Sequence, residues 1–314
     1  MIDHESIYTS TGKKLLRHLN VLGDFKSFGK LVPISLQIAP TSRCNLKCNF
    51  CSNVNRDKHE DLRLVDLTRF LDESSRLGVK TVEWTGGGDP TQYKYIREVV
   101  DYVHHKLHRQ QGFITNGIDL VSVLQSDIHH LSWIRVSLNS LDYVDDIHLP
   151  EDYKGTLGFS YVMNSGTAKS VKKKIDKYIN KYKPSYVRIV PDCQISYQNL
   201  ASANAYYSQV VKAWGPPYFY QTKTFSHPKR CWWCYCKPFL LHDGFVYPCS
   251  SVVLNDTSER SFHSKFRWFA MDKLASMYQE EAIPFDSKDC TNCVFGEQNS
   301  ILEAVINPEM EAFV

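Results

Sequence analysis

The stretch Ile34-Ser35-Leu36-Gln37-Ile38-Ala39-Pro40-Thr41-Ser42-Arg43-Cys44-Asn45-Leu46-Lys47-Cys48-Asn49-Phe50-Cys51 sets a strand-like apolar run directly before three cysteines spaced C-x3-C-x2-C. Three thiolates can hold three irons of a [4Fe–4S] cube and leave the fourth iron open to a further ligand. Four protein thiolates make an electron-transfer cluster. Zinc is the competing metal, but its structural sites take four ligands, usually from two separated Cys or His pairs. No fourth Cys or His stands at such a spacing from the triplet, the nearest being His59. Ligand count therefore favours iron–sulfur.

Beyond the triplet, Val82-Glu83-Trp84-Thr85-Gly86-Gly87-Gly88-Asp89-Pro90 reads as a strand running into a glycine-rich turn. A residue without Cβ lets the backbone approach a ligand closely. Ile134-Arg135-Val136-Ser137-Leu138-Asn139 alternates apolar and polar residues, as a strand does, and Ile114-Thr115-Asn116-Gly117 reads as a strand end. The strand-like runs are 34–39, 80–85, 111–115, 132–138, 157–163 and 186–190. Helical periodicity fills the gaps, as in Val65 to Leu77, Tyr95 to His105 and Ser170 to Tyr182. Six such βα units imply a parallel sheet wrapped by helices. Right-handed crossovers curl that sheet toward a barrel. The cysteine loop and the glycine turn would then share the C-terminal rim, where barrel enzymes place their chemistry.

Leu15, Leu16, Leu19 and Leu22 suggest an amphipathic helix within residues 1–33. The barrel part is expected over 34–215. Pro216-Pro217 marks a boundary, and 216–314 is expected to form a smaller β-hairpin-plus-helix extension. Within it, Phe239 to Tyr247 reads as a hairpin with Asp243-Gly244 at the turn. Six cysteines fall in this part. Cys231 is followed by twelve residues, Gly244, four residues and Cys249, and Cys290 and Cys293 form a C-x2-C pair. The hairpin is expected to draw Cys231 and Cys249 together and the distal pair to close a four-thiolate site, suited on chemistry alone to Fe–S or zinc. Cys234 and Cys236 are alternatives to Cys231.

Composition sets bounds. At 314 residues and 43% hydrophobic content, the chain can bury a sizeable core. A net charge of +3 neither demands nor excludes nucleic acid. No apolar run approaches the roughly 20 residues of a membrane span. The N-terminus shows no apolar signal-peptide region. Ten cysteines without a secretion signal point to metal ligation in a reducing compartment, so a cytoplasmic location without a membrane partner is expected. Lys172, Lys173, Lys174, Lys177, Lys181 and Lys183 read as a solvated helix face, with a phosphate-tracking surface as the sharper alternative. The aromatics Tyr206, Tyr207, Trp214, Tyr218, Phe219, Tyr220, Phe225, Trp232, Trp233 and Tyr235 are interleaved with Lys223, Lys229 and Arg230. They either pack the extension or stack bases.

The run C-x3-C-x-aromatic-C, with Phe50 as the aromatic, resembles the radical S-adenosylmethionine (SAM) enzymes. The resemblance implies a partial (β/α)6 TIM-like barrel and a [4Fe–4S] cluster on Cys44, Cys48 and Cys51 whose open iron binds SAM. One electron then cleaves SAM to a 5′-deoxyadenosyl radical, which takes a hydrogen from an unactivated C–H bond of the substrate. Gly86, Gly87, Gly88 and Asp89 are similar to the family's GGEP segment, with Asp where Glu is usual. Ser137 and Asn139 resemble its ribose-contacting strand, and Asn116 its third-strand cap. The C-terminal pattern looks like the Twitch form of the SPASM extension, which implies one auxiliary [4Fe–4S] cluster on Cys231, Cys249, Cys290 and Cys293. Cys193, after the sixth strand, is a candidate hydrogen donor as in the family's epimerases, or an inert packed thiol. The outcome on the substrate is oxidation, cross-linking, epimerisation or rearrangement. The expected substrate is a peptide or a modified nucleobase or nucleotide. A sugar or aminocyclitol dehydrogenase is the alternative. A flavodoxin or ferredoxin would supply electrons. The rival from another class is a non-catalytic Fe–S or zinc protein that binds nucleic acid.

Overall fold

The structure, a computed structural model, describes residues 7–53, 59–164, 166–192, 194–254 and 262–307. All six anticipated strands are present, with ends shifted by a residue or so. They are β1 Ser35–Ile38, β2 Thr81–Trp84, β3 Gln110–Thr115, β4 Trp133–Ser137, β5 Thr156–Met163 and β6 Tyr186–Pro191. They pair in parallel and in chain order. The result is a mixed α/β fold with a central sheet and flanking helices.

The sequence alternation explains which face does what. Parallel sheets are usually apolar on both faces because helices cover both. Here Leu36, Ile38, Val82, Trp84, Ile134 and Val136 are buried, whereas the alternate positions Gln37, Glu83, Trp133, Arg135 and Ser137 are half-buried. One face therefore packs on helices and the other lines a polar hollow. The helix Leu64–Arg76 buries Leu67, Phe70 and Leu71 as its periodicity predicts. The helix Ala168–Tyr182 buries Val171, Ile175 and Tyr178. Its basic residues form a solvated face, where Lys172 meets Asp176 at 2.7 Å and Lys174 meets Asp142.

The aromatic composition of the next segment concealed a regular element. Tyr206, Tyr207 and Trp214 lie on a helix, Tyr197–Trp214, started by Ser196, whose hydroxyl accepts from the Asn199 N–H at 3.3 Å. It leads into a seventh parallel strand, β7 Tyr218–Tyr220, beside β6. Trp232, Trp233 and Tyr235 are buried in the core, so they are packing residues and offer no stacking platform to a base.

The rest of the chain adds β8 Arg230–Cys231, β9 Phe239–Leu240, β10 Phe245–Tyr247, β11 Phe269–Ala270 and β12 Phe285–Asp286. The β9–β10 hairpin turns at Asp243-Gly244 as anticipated. Gly244 has φ +79°, and Asp243 accepts from the Phe245 N–H at 3.1 Å. β9 also pairs in parallel with β1, placing Phe239 opposite Gln37. The sheet order is thus β11-β10-β9-β1-β2-β3-β4-β5-β6-β7, with two ends that do not join.

The N-terminal expectation needs correcting. A 3-10 turn, Gly12–Arg17, precedes the helix Leu19–Phe28, and His18 (φ −120°, ψ 49°) breaks the phase between them. Leu15 and Leu22 are buried, but Leu16 and Leu19 are exposed, and Val21 and Phe25 take the inward places. Among the described residues no helix is long and apolar enough to cross a membrane.

Candidate active site

The cysteine loop after β1 is fastened on two sides before the first thiol is reached. The Ser42 N–H donates to the Glu60 carbonyl at 2.9 Å, and the Thr41 hydroxyl donates to Asp61 at 2.6 Å. On the other side the Gly88 and Asp89 N–H groups donate to the carbonyls of Thr41 and Arg43, each at 2.8 Å. The glycine turn after β2 and the root of the cysteine loop are therefore one backbone-paired unit. Gly88 is required by that approach, since a Cβ there would stand 1.7 Å from the Arg43 carbonyl oxygen. At Gly87 a Cβ would stand 2.7 Å from the His242 ring, which comes from the hairpin turn.

Asp89 holds this unit to β3. Its carboxylate accepts from the Thr91 N–H and hydroxyl, the Thr115 hydroxyl and the Asn116 N–H, at 2.7–3.0 Å. Burial pushes its pKa above the ordinary carboxylate value, against the pull of those donors. With four donors of the chain already on it, this carboxylate acts by shaping the turn. The Asn116 amide donates to Asn45 of the cysteine loop at 2.6 Å, and Asn45 donates to Asp119 at 2.8 Å. Across the mouth, the Tyr143 hydroxyl accepts from the Asn49 N–H at 3.3 Å, and Gln194 donates to the Phe50 carbonyl at 3.2 Å. Loops from several strands thus grip the segment that carries Cys44, Cys48 and Cys51, all three half-buried. Ser137 shares the inward face of β4 with Arg135. Asn139 is buried, and its amide exchanges two hydrogen bonds with the Val162 backbone, at 2.7 and 3.0 Å. Cys193 lies outside the described residues.

The cysteines of the second set are positioned by more than the hairpin. The hairpin delivers Cys249, whereas Cys231 is held by pairing of β8 with β12, opposite Phe285 and just ahead of Cys290. Cys293 is fixed by its bridge to Ser226. All four thiols are buried, and the Cys231 charge raises the other three. Burial first, then Cys231 and Cys293, push the Cys290 thiol up to about 12. Burial and Cys231 likewise raise Cys249 and Cys293. Cys231 is the exception. Hydrogen bonding with Cys234 holds it below the ordinary thiol range, helped by the Asn299 amide 3.6 Å from its sulfur. Cys234 donates to the Cys231 carbonyl at 3.1 Å.

A cavity of about 680 Å³ lies on the polar face of the sheet. Gln37, Glu83, Trp133, Arg135 and Arg188 line it from the strands. So do Ser52, next to Cys51, Ser250 and Ser251, just after Cys249, and Val294, next to Cys293. Residues adjoining both cysteine sets therefore border one space. A larger groove of about 1040 Å³ adjoins it through Ser10, Gln221 and Lys223 and reaches Cys293. The inward polar residues were not anticipated as site residues, although the alternation in Thr81-Val82-Glu83-Trp84 and Trp133-Ile134-Arg135-Val136-Ser137 was the signal for them. Among the described residues, the donors that close to within 4.8 Å of one another are His104, His105 and His130. They precede β3 and β4, away from the strand ends that carry the cysteine loop, and His104 stacks flat on His130 at 4.2 Å.

Residues 38–190 match the family model of the Radical SAM superfamily. Over that stretch, just under half of the chain, it carries a radical SAM domain. A probable GTP 3′,8-cyclase of Methanococcus maripaludis is 29% identical over 148 residues, 46% of this chain and 45% of that protein. The chain thus spans about half the length of the curated relatives it matches. Among solved structures, Streptococcus suis SuiB superposes with a TM-score of 0.57 at 17% identity, over 87% of this chain and 72% of that one. The same protein has been solved bound to S-adenosylmethionine and bound to its precursor peptide SuiA. anSMEcpe with bound AdoMet and Cp18Cys peptide gives 0.51 at 15% identity, over 89% of this chain and 85% of that one. At these identities the likeness is one of fold, and it reaches well beyond residue 190.

Proposed function

We propose that the chain is a radical SAM enzyme with two [4Fe–4S] clusters, acting on a substrate held in the cavity between them. The observation that carries this reading is that cavity, bordered by residues adjoining Cys51 on one side and Cys249 and Cys293 on the other. Cys44, Cys48 and Cys51 would hold the first cluster. Cys231, Cys249, Cys290 and Cys293 would hold the auxiliary one, with Cys234 and Cys236 outside it. When bound, the first cluster and SAM supply a 5′-deoxyadenosyl radical able to take a hydrogen atom from an unactivated carbon.

The protein's part is orientation and exclusion of water. Asp89 fixes the turn Gly86-Gly87-Gly88, whose backbone groups would hold SAM, and Asn116, Ser137, Asn139 and Phe50 would complete that wall. We read the parallel sheet as a partial barrel over 34–215, preceded by the segment 1–33 and followed by the auxiliary unit 216–314. Cys193 remains our candidate hydrogen donor. A flavodoxin or ferredoxin is the proposed electron source and a cytoplasmic location the proposed setting. The substrate is a peptide, as the SuiA-bound structure suggests, or a nucleotide, as the cyclase relatives suggest.

Anaerobic reconstitution tests this, with iron counting and a 5′-deoxyadenosine assay on the parent and on a variant with Cys44, Cys48 and Cys51 changed to Ala. Two clusters predict about eight irons per chain, falling to about four in the variant with loss of 5′-deoxyadenosine. A parent that binds no iron and releases none of this product would overturn the reading.

A further inference from the structure

We infer that the chain holds a structural divalent transition-metal ion, zinc by its donor set, on His104, His105 and His130, at the end of the sheet opposite the cysteine loop. This goes beyond the proposed function and does not depend on it. One nitrogen from each of the three rings lies within 4.8 Å of the others. The ring centroids stand 4.2 Å apart for His104 and His130, 4.6 Å for His104 and His105, and 4.8 Å for His105 and His130. Asp101 lies beside them, its carboxylate 3.5 Å from His105 Nε2 and 4.0 Å from His130 Nδ1. Imidazole nitrogens with a carboxylate close by are donors that zinc takes, four at a time.

The fold brings the two histidine segments together without help from the histidines. The helix Ile96–Asp101 runs into a wide π turn, Tyr102–Lys106, which carries His104 and His105. Such turns are rare and concentrate at functional sites. His130 ends the 3-10 turn Gln125–His130. Arg97 of the helix joins the two, donating to Asp127 at 2.8 Å and to Gln125 at 3.1 Å. His130 Nδ1 is buried yet has no hydrogen-bond partner among the described residues. A buried polar atom left this way calls for a ligand. Partial burial first, then His130 and His105, lower the His104 pKa below its ordinary 6.5, which favours the neutral ring that ligates a metal. Zn–N bonds of ~2.0–2.1 Å set ligand nitrogens roughly 3.3 Å apart, so the trio closes by about 1.5 Å at most. The His105 side chain is 62% exposed and can turn inward without disturbing the core. The ion would clamp the segments that lead into β3 and β4, whose far ends carry Thr115 and Ser137. At that end of the strands its work is stability rather than catalysis.

The test uses the full chain, reconstituted anaerobically with iron and sulfide. Zn²⁺ is added in equimolar amount, loosely held metal is removed on a desalting column, and zinc and iron are counted. X-ray absorption at the zinc edge then reads the ligand shell, because Zn–N bonds of ~2.0–2.1 Å and Zn–S bonds of ~2.3 Å are distinct. We expect about one zinc per chain in a nitrogen and oxygen shell, with iron unchanged and thermal unfolding moved to higher temperature. Affinity is measured by competition with a chelator. His130→Ala should weaken zinc binding about tenfold or more, and so should His105→Ala, at an exposed position where folding is not at stake. Asp101→Asn should weaken it about tenfold. His129→Ala, whose own partner is Asp152 at 3.7 Å, should bind zinc like the parent. No retained zinc, zinc in a sulfur shell, or a His105→Ala variant that binds like the parent overturns the inference. A parent that takes up no iron but holds zinc in a nitrogen shell sinks the two-cluster reading alone.

Discussion

The Lys237 ammonium and the Glu83 carboxylate lie 2.6 Å apart, joining the C-terminal part of the chain to the second strand inside the polar hollow. Their side chains are only 9% and 20% exposed. Removing one partner of such a pair strands a charge in poorly solvated surroundings. Lys237→Met should cost about 3 kcal/mol in urea unfolding, and adding Glu83→Gln should recover part of it. A single variant as stable as the parent would mean that the pair contributes nothing.

Gly88→Ala places a Cβ 1.7 Å from a backbone oxygen, which a rotamer change cannot relieve. The strands must shift or the cysteine loop must lift off the glycine turn. A loss of about 1–3 kcal/mol is expected. Iron should be lost from the first cysteine set while the second set keeps its share. Normal iron content with normal stability would disprove the close pairing of turn and loop.

The auxiliary set can be mapped one thiol at a time. Cys234 hydrogen-bonds to Cys231, and burial and Cys231 push Cys236 up to about 12. With Cys231, Cys249, Cys290 and Cys293 as the proposed ligands, Cys234→Ala and Cys236→Ala should retain about eight irons, whereas Cys290→Ala and Cys293→Ala should fall toward about four. Iron loss in either of the first pair would exchange that residue for Cys231 as a ligand.

Tyr178 reaches from the helix Ala168–Tyr182 to the loop after β4. Its hydroxyl bonds the Asp146 carboxylate and lies 3.3 Å from the Ile147 N–H. The Tyr178 bond holds the Asp146 pKa below its ordinary 3.8. The sign follows from that depression: the bond stabilises the fold above the unfolded pKa, and the gain is lost as pH falls through the lower native value. Tyr178→Phe should cost about 1 kcal/mol near neutral pH and return Asp146 to the ordinary carboxylate range. Unfolding across the acid range, with NMR titration of Asp146, checks both.

Local signals made much of this molecule readable in advance. Strands β1 to β6 declared themselves by short apolar runs, and the hairpin by Asp243-Gly244. The helix Tyr197–Trp214 did not, because its tyrosines, serines and alanines give a weak apolar stripe, and β7 followed it into obscurity. At the site, the residue types near the thiols were visible but their engagements were not. Asp89, Asn116 and Asn139 carry polar groups that suit a ligand, yet each side chain also bonds atoms of distant strands and loops. Only the fold shows whether an amide is turned toward the chain or toward the hollow. Cys231 illustrates the same limit, since its position depends on a two-residue strand pairing with no sequence signature of its own.

The pairing of β9 on β1 has a consequence for how the chain is made. Gln37 finds its partner Phe239 about two hundred residues later. Until then the first strand keeps one edge bare, with Leu36 and Ile38 beside it, and bare edges are where chains pair wrongly. Contacts so distant in sequence also form slowly. A shortened version ending near residue 215 would leave that edge permanently uncapped, and yield in the pellet rather than in solution is the outcome to plan for when dissecting this protein.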